Sequence, residues 1–255
     1  MERETKATRF NYNEIPIGYY DEIANKPRGI RSFWHKQKFL RVAACIPDSS
    51  DSLLDIGCFA GTFLGMVSQK KAKHQVGIDI LENQINYANN KYGNDFREFH
   101  WIKNIQTIEE YLPNQRFQNI SIIEVIEHLS KDEIGNILSQ AAKLMTKGGR
   151  LIITTPNYTS LWPLLELTVN ALSKVKYEEQ HITKFNYFNF NKTLQDCWPL
   201  FNTTFQPEFT TTIHFITPFL AAISQRFATK TSDLIQPSSW KFPFGNLIIA
   251  SFIKK

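Results

Sequence analysis

The stretch Ser52 to Phe63, reading SLLDIGCFAGTF, limits what this chain can become more than any other. A short apolar run of Leu53, Leu54 and Ile56 leads through Asp55, Gly57 and Gly61 into a helical pattern expected over Thr62 to Gln69. That order of residue types describes a buried strand, a tight turn and a helix N-terminus. Glycines let the backbone close on a bound molecule, and the first N–H groups of the helix offer it donors. The next strand, His74 to Ile80, carries Asp79 near its end, 24 residues after Asp55. An acidic residue so placed can accept both hydroxyls of a ribose, so the pair points to a ligand containing a nucleoside. There is no strict G-x-G-x-x-G, because Phe59 stands where the middle glycine would be, and this argues against a nicotinamide or flavin.

At these residues the chain resembles the class I S-adenosylmethionine-dependent methyltransferases, whose first motif is commonly D-x-G-C-G-x-G and whose second strand ends in an acid. Phe59 departs from that pattern. A third match in the right order is LMTKGGRLIITTPN, Leu144 to Asn157, similar to the family's L-x-P-G-G-x-L-x-x-x-x-P. Before it, Ser130 with Asp132 and Glu133 marks the capped start of a helix reaching about Met145. The resemblance implies that the turn with Asp55, Gly57, Cys58 and Gly61 holds the amino-acid end of S-adenosylmethionine and that Asp79 holds the ribose. It also places Ile80, Glu124 and Asn104 in the cofactor site, Asn104 following a third strand at Phe96 to Lys103 and facing the adenine. The expected fold is α/β: a Rossmann-like, seven-stranded, mostly parallel sheet with helices on both faces.

The fourth strand, Asn119 to Glu124, runs straight into VIEHLSKDEI. Glu124, Glu127 and His128 stand at i, i+3 and i+4, so a helical turn there projects all three to one side, toward the carboxyl ends of the strands. A histidine beside carboxylates can take a proton from a hydroxyl, and the same group can hold a divalent cation that lowers the hydroxyl's pKa. EVIEHL resembles the ubiquinone-pathway O-methyltransferases and the small-RNA 2′-O-methyltransferases, in which this pattern and a later histidine are associated with divalent metal. That later histidine is expected to be His181, in YEEQHITKF. His128, Glu127 and His181 are therefore the candidate catalytic residues, and Glu124, Glu127, His128 and His181 the candidate ligands of an ion such as magnesium.

Residues 1–50 precede the first strand and read as an N-terminal helical cap, with a helix from Ile30 to Ala44 and Tyr20, Arg31 and His35 as candidate cofactor contacts. Residues 51–255 form the expected methyltransferase domain, with inserts at about 157–190 and 213–244. Strands six and seven are expected at Phe201 to Thr212 and Asn246 to Phe252; the resembled fold joins them by a tight hairpin, whereas here some thirty residues intervene. The inserts are apolar, and Trp240, Phe242 and Phe244 on a basic chain suggest a lipid-linked acceptor and peripheral contact with an anionic membrane face.

With 42% hydrophobic and 21% charged residues, the chain reads as globular, and +5 net charge admits an anionic substrate, a membrane surface or RNA. Cys45, Cys58 and Cys197 lack paired spacing, so a reducing, cytoplasmic setting is expected rather than disulfides or a zinc site. No apolar run has the length of a membrane span, and the charged first residues lack a signal-peptide core. The expected activity is O-methylation of a small-molecule, glycan or lipid-linked acceptor. Two alternatives stay open: an RNA ribose 2′-O-methyltransferase with a Glu-Glu-His-His metal site, and a non-catalytic cofactor-binding assembly protein. Nucleic acid is disfavoured by the lack of an RNA-binding module and by Glu124-Val125, where base methyltransferases place an Asn- or Asp-Pro-Pro motif. Oligomeric state cannot be read from the sequence.

Overall fold

Leu53 and Leu54 are neighbours in the chain and both fully buried, yet they belong to hydrophobic clusters on opposite faces of one sheet. Successive residues of a strand point to opposite faces, so a strand apolar on both sides must be covered on both sides. The computed structural model describes residues 12–163, 181–234 and 243–255, and this pattern repeats across its central strands. The strands are β1 (Ser50–Ile56), β2 (Ala72–Asp79), β3 (Arg97–Trp101), β4 (Phe117–Ile123), β5 (Met145–Pro156), β6 (Phe205–Ile213) and β7 (Leu247–Lys254). They form one sheet in the order β3-β2-β1-β4-β5-β7-β6. Strands β1 to β5 pair in parallel, and β7 runs antiparallel to both β5 and β6.

One face is covered by α2 (Ile30–Cys45), α3 (Thr62–Met66) and α4 (Glu82–Tyr92) through Val42, Leu64 and Ile85. The other is covered by α5 (Ile108–Tyr111), α6 (Lys131–Leu144), α7 (Phe190–Cys197) and α8 (Phe201–Thr204) through Ile134, Leu138, Leu194 and Phe201. The start of α6 is fixed as its sequence implied: Ser130 Oγ accepts from Glu133 N while the Glu133 carboxylate accepts from Ser130 N, closing a capping box.

Two boundaries differ by more than two residues from those expected above. The helix expected to reach Gln69 stops at Met66, because Arg97 Nη2 (2.8 Å) and Gln75 Nε2 (3.1 Å) draw the Val67 carbonyl into buried hydrogen bonds. The sixth strand begins at Phe205, not Phe201: Phe201 is buried against α6 and β7, and the preceding turn is helical.

The segments before β1 and between β6 and β7 fold against each other. Helix α1 (Tyr19–Asn25) is tied to α4 by the buried Asp21, which accepts from Tyr87 Oη (2.9 Å), Tyr92 Oη (2.5 Å) and Lys91 Nζ (2.5 Å). Between β6 and β7 lie α9 (Thr217–Ile223) and α10 (Gln225–Leu234), whose Ala221 and Ala228 pack on Phe33 of α2. Arg41 donates to the Ser232 carbonyl, and Ser232 Oγ donates to Gln37 Oε1 (3.0 Å), fastening α10 to α2. Among the described residues no helix is long and apolar enough to cross a membrane. The expectations placed on Leu165, Leu172, Tyr177 to Gln180, Trp240 and Phe242 lie outside the described residues.

Candidate active site

The carboxyl ends of β1, β2 and β4 open into a cavity of about 700 Å³, roofed by α1 and α2 and bounded at its far side by Trp162, His181 and Phe219. Its floor is the turn after β1. Gly57 takes a left-handed φ of 79°, and a Cβ there would come within 2.4 Å of Val125 Cγ2, so this close approach of β1 to β4 requires glycine. Phe59, the departure from the family's glycine, has φ of 48° and keeps the turn that glycine would make. Its N–H donates to Asp79 Oδ2 (2.8 Å), and its ring meets Tyr20 of α1 edge-on at 5.3 Å. The second carboxylate oxygen of Asp79 accepts from Leu81 N (3.0 Å).

This end of the cavity presents two buried carboxyl groups. Burial raises the pKa of Asp79, against the hydrogen bonds from the backbone. Burial also pushes Asp55 up to about 7; the neighbouring Asp79 charge adds to this, and the hydrogen bond from Ser121 Oγ (2.7 Å) opposes it. Two carboxyl groups held against their solvation preference are suited to a ligand that brings positive charge and hydroxyl donors.

Of the residues assigned to the cofactor, Asp55, Gly57, Cys58, Asp79, Ile80, Asn104 and Glu124 line the cavity, as do Tyr20, Arg31 and His35. Gly61 is not on its wall; a Cβ there would meet the Phe99 ring at 2.7 Å and Ala88 Cβ at 2.9 Å, so it serves packing between β3 and α4. Asn104 also uses its side-chain oxygen to cap the turn at Gln106 N (2.8 Å). Burial, with the nearby Lys38 and Arg31 charges, drives the His35 pKa well down, so this imidazole is neutral.

At the other end, EVIEH does not form the continuous helical turn its spacing implied. Glu124 has φ of 52°, and only Ile126–His128 make a tight helical turn. The left-handed residue breaks the i, i+3, i+4 phase and sends Glu124 to an ion pair with Lys38 of α2. Glu127, His128 and His181 instead come together, with potential ligand atoms within 4.8 Å of one another. Glu127 is fully buried, accepts from Thr155 Oγ1 (3.1 Å), and has its pKa raised well above the carboxylate range by burial and then by Glu124. The rings of His128 and His181 lie 5.2 Å apart, and Tyr158 Oη is 2.9 Å from His181 Nδ1. The backbone joins the group as well, since Thr183 N donates to the Glu127 carbonyl (3.0 Å). Three donors of this kind, facing a cavity, fit a divalent cation with sites left for a substrate oxygen.

Aromatic rings enclose this end: Tyr12 is edge-on to His128 at 5.5 Å, Trp162 lies 6.2 Å from His181, and Trp34 lies 5.5 Å from Trp162. Sequence reasoning had not assigned Lys38, Trp34, Trp162 or Tyr158 to the site. A signal for the first two exists: Arg31, Trp34, His35 and Lys38 fall at i, i+3, i+4 and i+7, one face of α2. Trp162 and Tyr158 follow β5 and carry no comparable periodicity.

The strand order, with its single antiparallel strand inserted between β5 and β6 and an acid closing β2, is the Rossmann-like architecture of the class I methyltransferases. The family model described as "Methyltransferase domain" matches residues 30–197, and the chain belongs to that family. Ubiquinone biosynthesis O-methyltransferase from Rhodopseudomonas palustris (strain HaA2) is 32% identical over 105 residues, 41% of this chain and 40% of that protein. The aligned part of the chain thus spans about two-fifths of that relative's length. Magnesium protoporphyrin IX methyltransferase from Synechocystis PCC 6803, solved with bound SAH, is similar with a TM-score of 0.58 at 16% identity, covering 92% of this chain and 93% of that one. A SAM-dependent methyltransferase from Archaeoglobus fulgidus gives 0.58 at 20% identity, covering 93% and 100%. At these identities the structural likeness establishes the fold.

Proposed function

We propose that the chain methylates a hydroxyl on a flat, largely apolar small-molecule or lipid-linked acceptor, using S-adenosylmethionine as donor and His128 as the group that receives the hydroxyl proton. The observation that carries this reading is that one cavity has the acid-tipped end of β2 at one side and the Glu127-His128-His181 group at the other. S-Adenosylmethionine supplies a methyl already activated by its sulfonium charge, so the protein has to align the two reactants, exclude water and remove a proton. Asp79 would accept from the ribose hydroxyls, while Asp55 and the Gly57 turn would face the amino-acid end. Tyr12, Trp34 and Trp162 offer broad apolar faces that favour a planar acceptor over a polar, charged one. His181, oriented by Tyr158, would hold His128 in place and share its positive charge.

The buried Glu127 beside two imidazoles favours a metal-assisted form of the same reaction. Glu127, His128 and His181 would hold the ion, which when bound would lower the pKa of the acceptor hydroxyl; His128 would then serve as a ligand and the hydroxyl proton would pass to solvent.

Calorimetric titration with S-adenosylhomocysteine, followed by transfer of labelled methyl into an organic-extractable phenol or catechol pool, tests the proposal. The expected pattern is binding lost in Asp79→Ala, and in His128→Gln binding kept with transfer reduced at least a hundredfold. A folded wild type that does not bind S-adenosylhomocysteine refutes the donor. Undiminished transfer in His128→Gln refutes the proton-accepting role. Loss of activity on chelation, restored by magnesium, selects the metal-assisted form.

A further inference from the structure

The insertion between β6 and β7 has an inner and an outer side. Its inner side is committed to α2 through Ala221, Ala228 and the Arg41–Ser232–Gln37 hydrogen bonds. On its outer side Phe219, Ile223 and Phe227 recur at four-residue steps across α9 and α10; Ile223 is 87% exposed and Phe227 58%. Ile216 is exposed beside them. Large apolar side chains are common singly on protein surfaces, but four within twelve consecutive residues are a patch that calls for a partner.

The charges beside the patch indicate which partner. From Ile213 to Ser232 the sequence holds no Asp or Glu, while Arg226 and Lys230 of α10 are both exposed. The one acid of α10, Asp233, comes at its far end, so the apolar side chains have cations as their nearest charged neighbours in sequence, which matches the interface of a bilayer bearing anionic headgroups, where hydrocarbon takes the rings and phosphate takes the cations. Phe219 belongs at once to this outer patch and to the wall of the cavity, so the patch is continuous with the cavity mouth.

We propose that the outer face of α9 and α10 docks on the surface of an anionic membrane, turning the cavity mouth toward the lipid. Docking stands independently of the methyl-transfer reading; only the further step, in which a lipid-linked acceptor enters past Phe219, rests on it. The α2 contacts hold α9 and α10 against the body of the protein, so their outer face is presented without folding on binding.

Flotation with vesicles of phosphatidylcholine alone and with 30% phosphatidylglycerol, a composition chosen as a probe, tests the docking with the full chain. Wild type is expected to float with the anionic vesicles at low salt and to bind neutral vesicles at least tenfold more weakly, each cation contributing about fivefold. Ile223→Ser/Phe227→Ser and Arg226→Glu/Lys230→Glu should each lose binding by roughly tenfold or more while keeping S-adenosylhomocysteine affinity, which shows that the fold and the site are intact. A wild type that stays in the soluble fraction, or outer-face variants that float as well as wild type, overturns the proposal. A concentration-dependent dimer abolished by Ile223→Ser, without vesicle binding, overturns it too and assigns the face to a second copy of the chain. If docking succeeds but no methyl reaches any lipid-linked acceptor, the docking face stands and the functional reading fails separately.

Discussion

Replacing Asp55 by asparagine should stabilise the unliganded protein at neutral pH and weaken its hold on the cofactor. The Asp55 carboxyl is buried, faces Asp79, and titrates at about 7 instead of its ordinary 3.8. A carboxyl whose native pKa lies above its unfolded value keeps its proton in the folded state while the unfolded chain has lost it. Raising the pH from 3.8 to about 7 therefore removes stability, and the loss is complete above the native pKa. The whole interval is worth at most about 4 kcal/mol, of which about 2.5 kcal/mol falls between pH 5 and pH 8. Asparagine does not titrate and can still accept from Ser121 Oγ through its side-chain oxygen. Urea denaturation of both proteins at the two pH values gives a double difference in which all unrelated titrations cancel. The wild type should lose about 2.5 kcal/mol relative to Asp55→Asn on going from pH 5 to pH 8. If the difference between the two proteins is the same at both pH values, Asp55 is not held neutral, and the account of an acid site waiting for a cationic ligand is wrong. In the same frame, the affinity of wild type for S-adenosylhomocysteine should fall toward tenfold per pH unit below about 7, since the ligand's ammonium selects the ionised carboxyl, and this dependence should vanish in Asp55→Asn.

Lys38→Met leaves the mostly buried Glu124 without its cation, and should lower stability by roughly 3 kcal/mol; adding Glu124→Gln should recover most of that, as chemical denaturation of the single and double variants would show. An unchanged midpoint for Lys38→Met would mean that the ion pair does not hold α2 to the end of β4. Gly135→Ala places a Cβ 2.3 Å from the Cys197 carbonyl oxygen, a backbone atom that cannot rotate away. The alanine gains about 1 kcal/mol of helix propensity but incurs overpacking of roughly 1–3 kcal/mol, so the melting temperature should fall by a few degrees; a rise would show that α6 and α7 separate easily.

The scaffold was legible because its signals are local. Leu53, Leu54 and Ile56 beside Gly57 specify a strand and turn, Ser130 with Glu133 specifies a helix start, and the apolar, β-branched run from Leu151 to Thr155 specifies the inner half of β5, although the strand already begins at Met145 and runs through Gly148 and Gly149. What could not be read depended on tertiary partners. Nothing near Val67 in sequence announces that Arg97 and Gln75 will take its carbonyl and end α3. The spacing of Glu124, Glu127 and His128 was sound, but the backbone conformation at Glu124 was not legible, and Lys38, 86 residues earlier, decides where that carboxylate goes. Periodicity shows which residues share a face only where the backbone stays regular.

Phe59 is where the two kinds of information meet. As a departure from the glycine of the resembled motif, it is the residue in the cofactor turn that a non-catalytic reading of the fold would rest on. A non-glycine residue at φ of 48° costs about 1 kcal/mol or more, and such strain persists only where its surroundings hold it. Here the Phe59 N–H binds the Asp79 carboxylate and the ring rests against Tyr20, whose own ring lies 5.7 Å from His35 of α2. The side chain that breaks the motif is thus one contact by which the N-terminal helices reach the cofactor turn, beside that of Phe39 with Phe63. A glycine would relieve the strain and lose that contact, so the substitution reads as a way of fixing the cap to the site while leaving the turn intact.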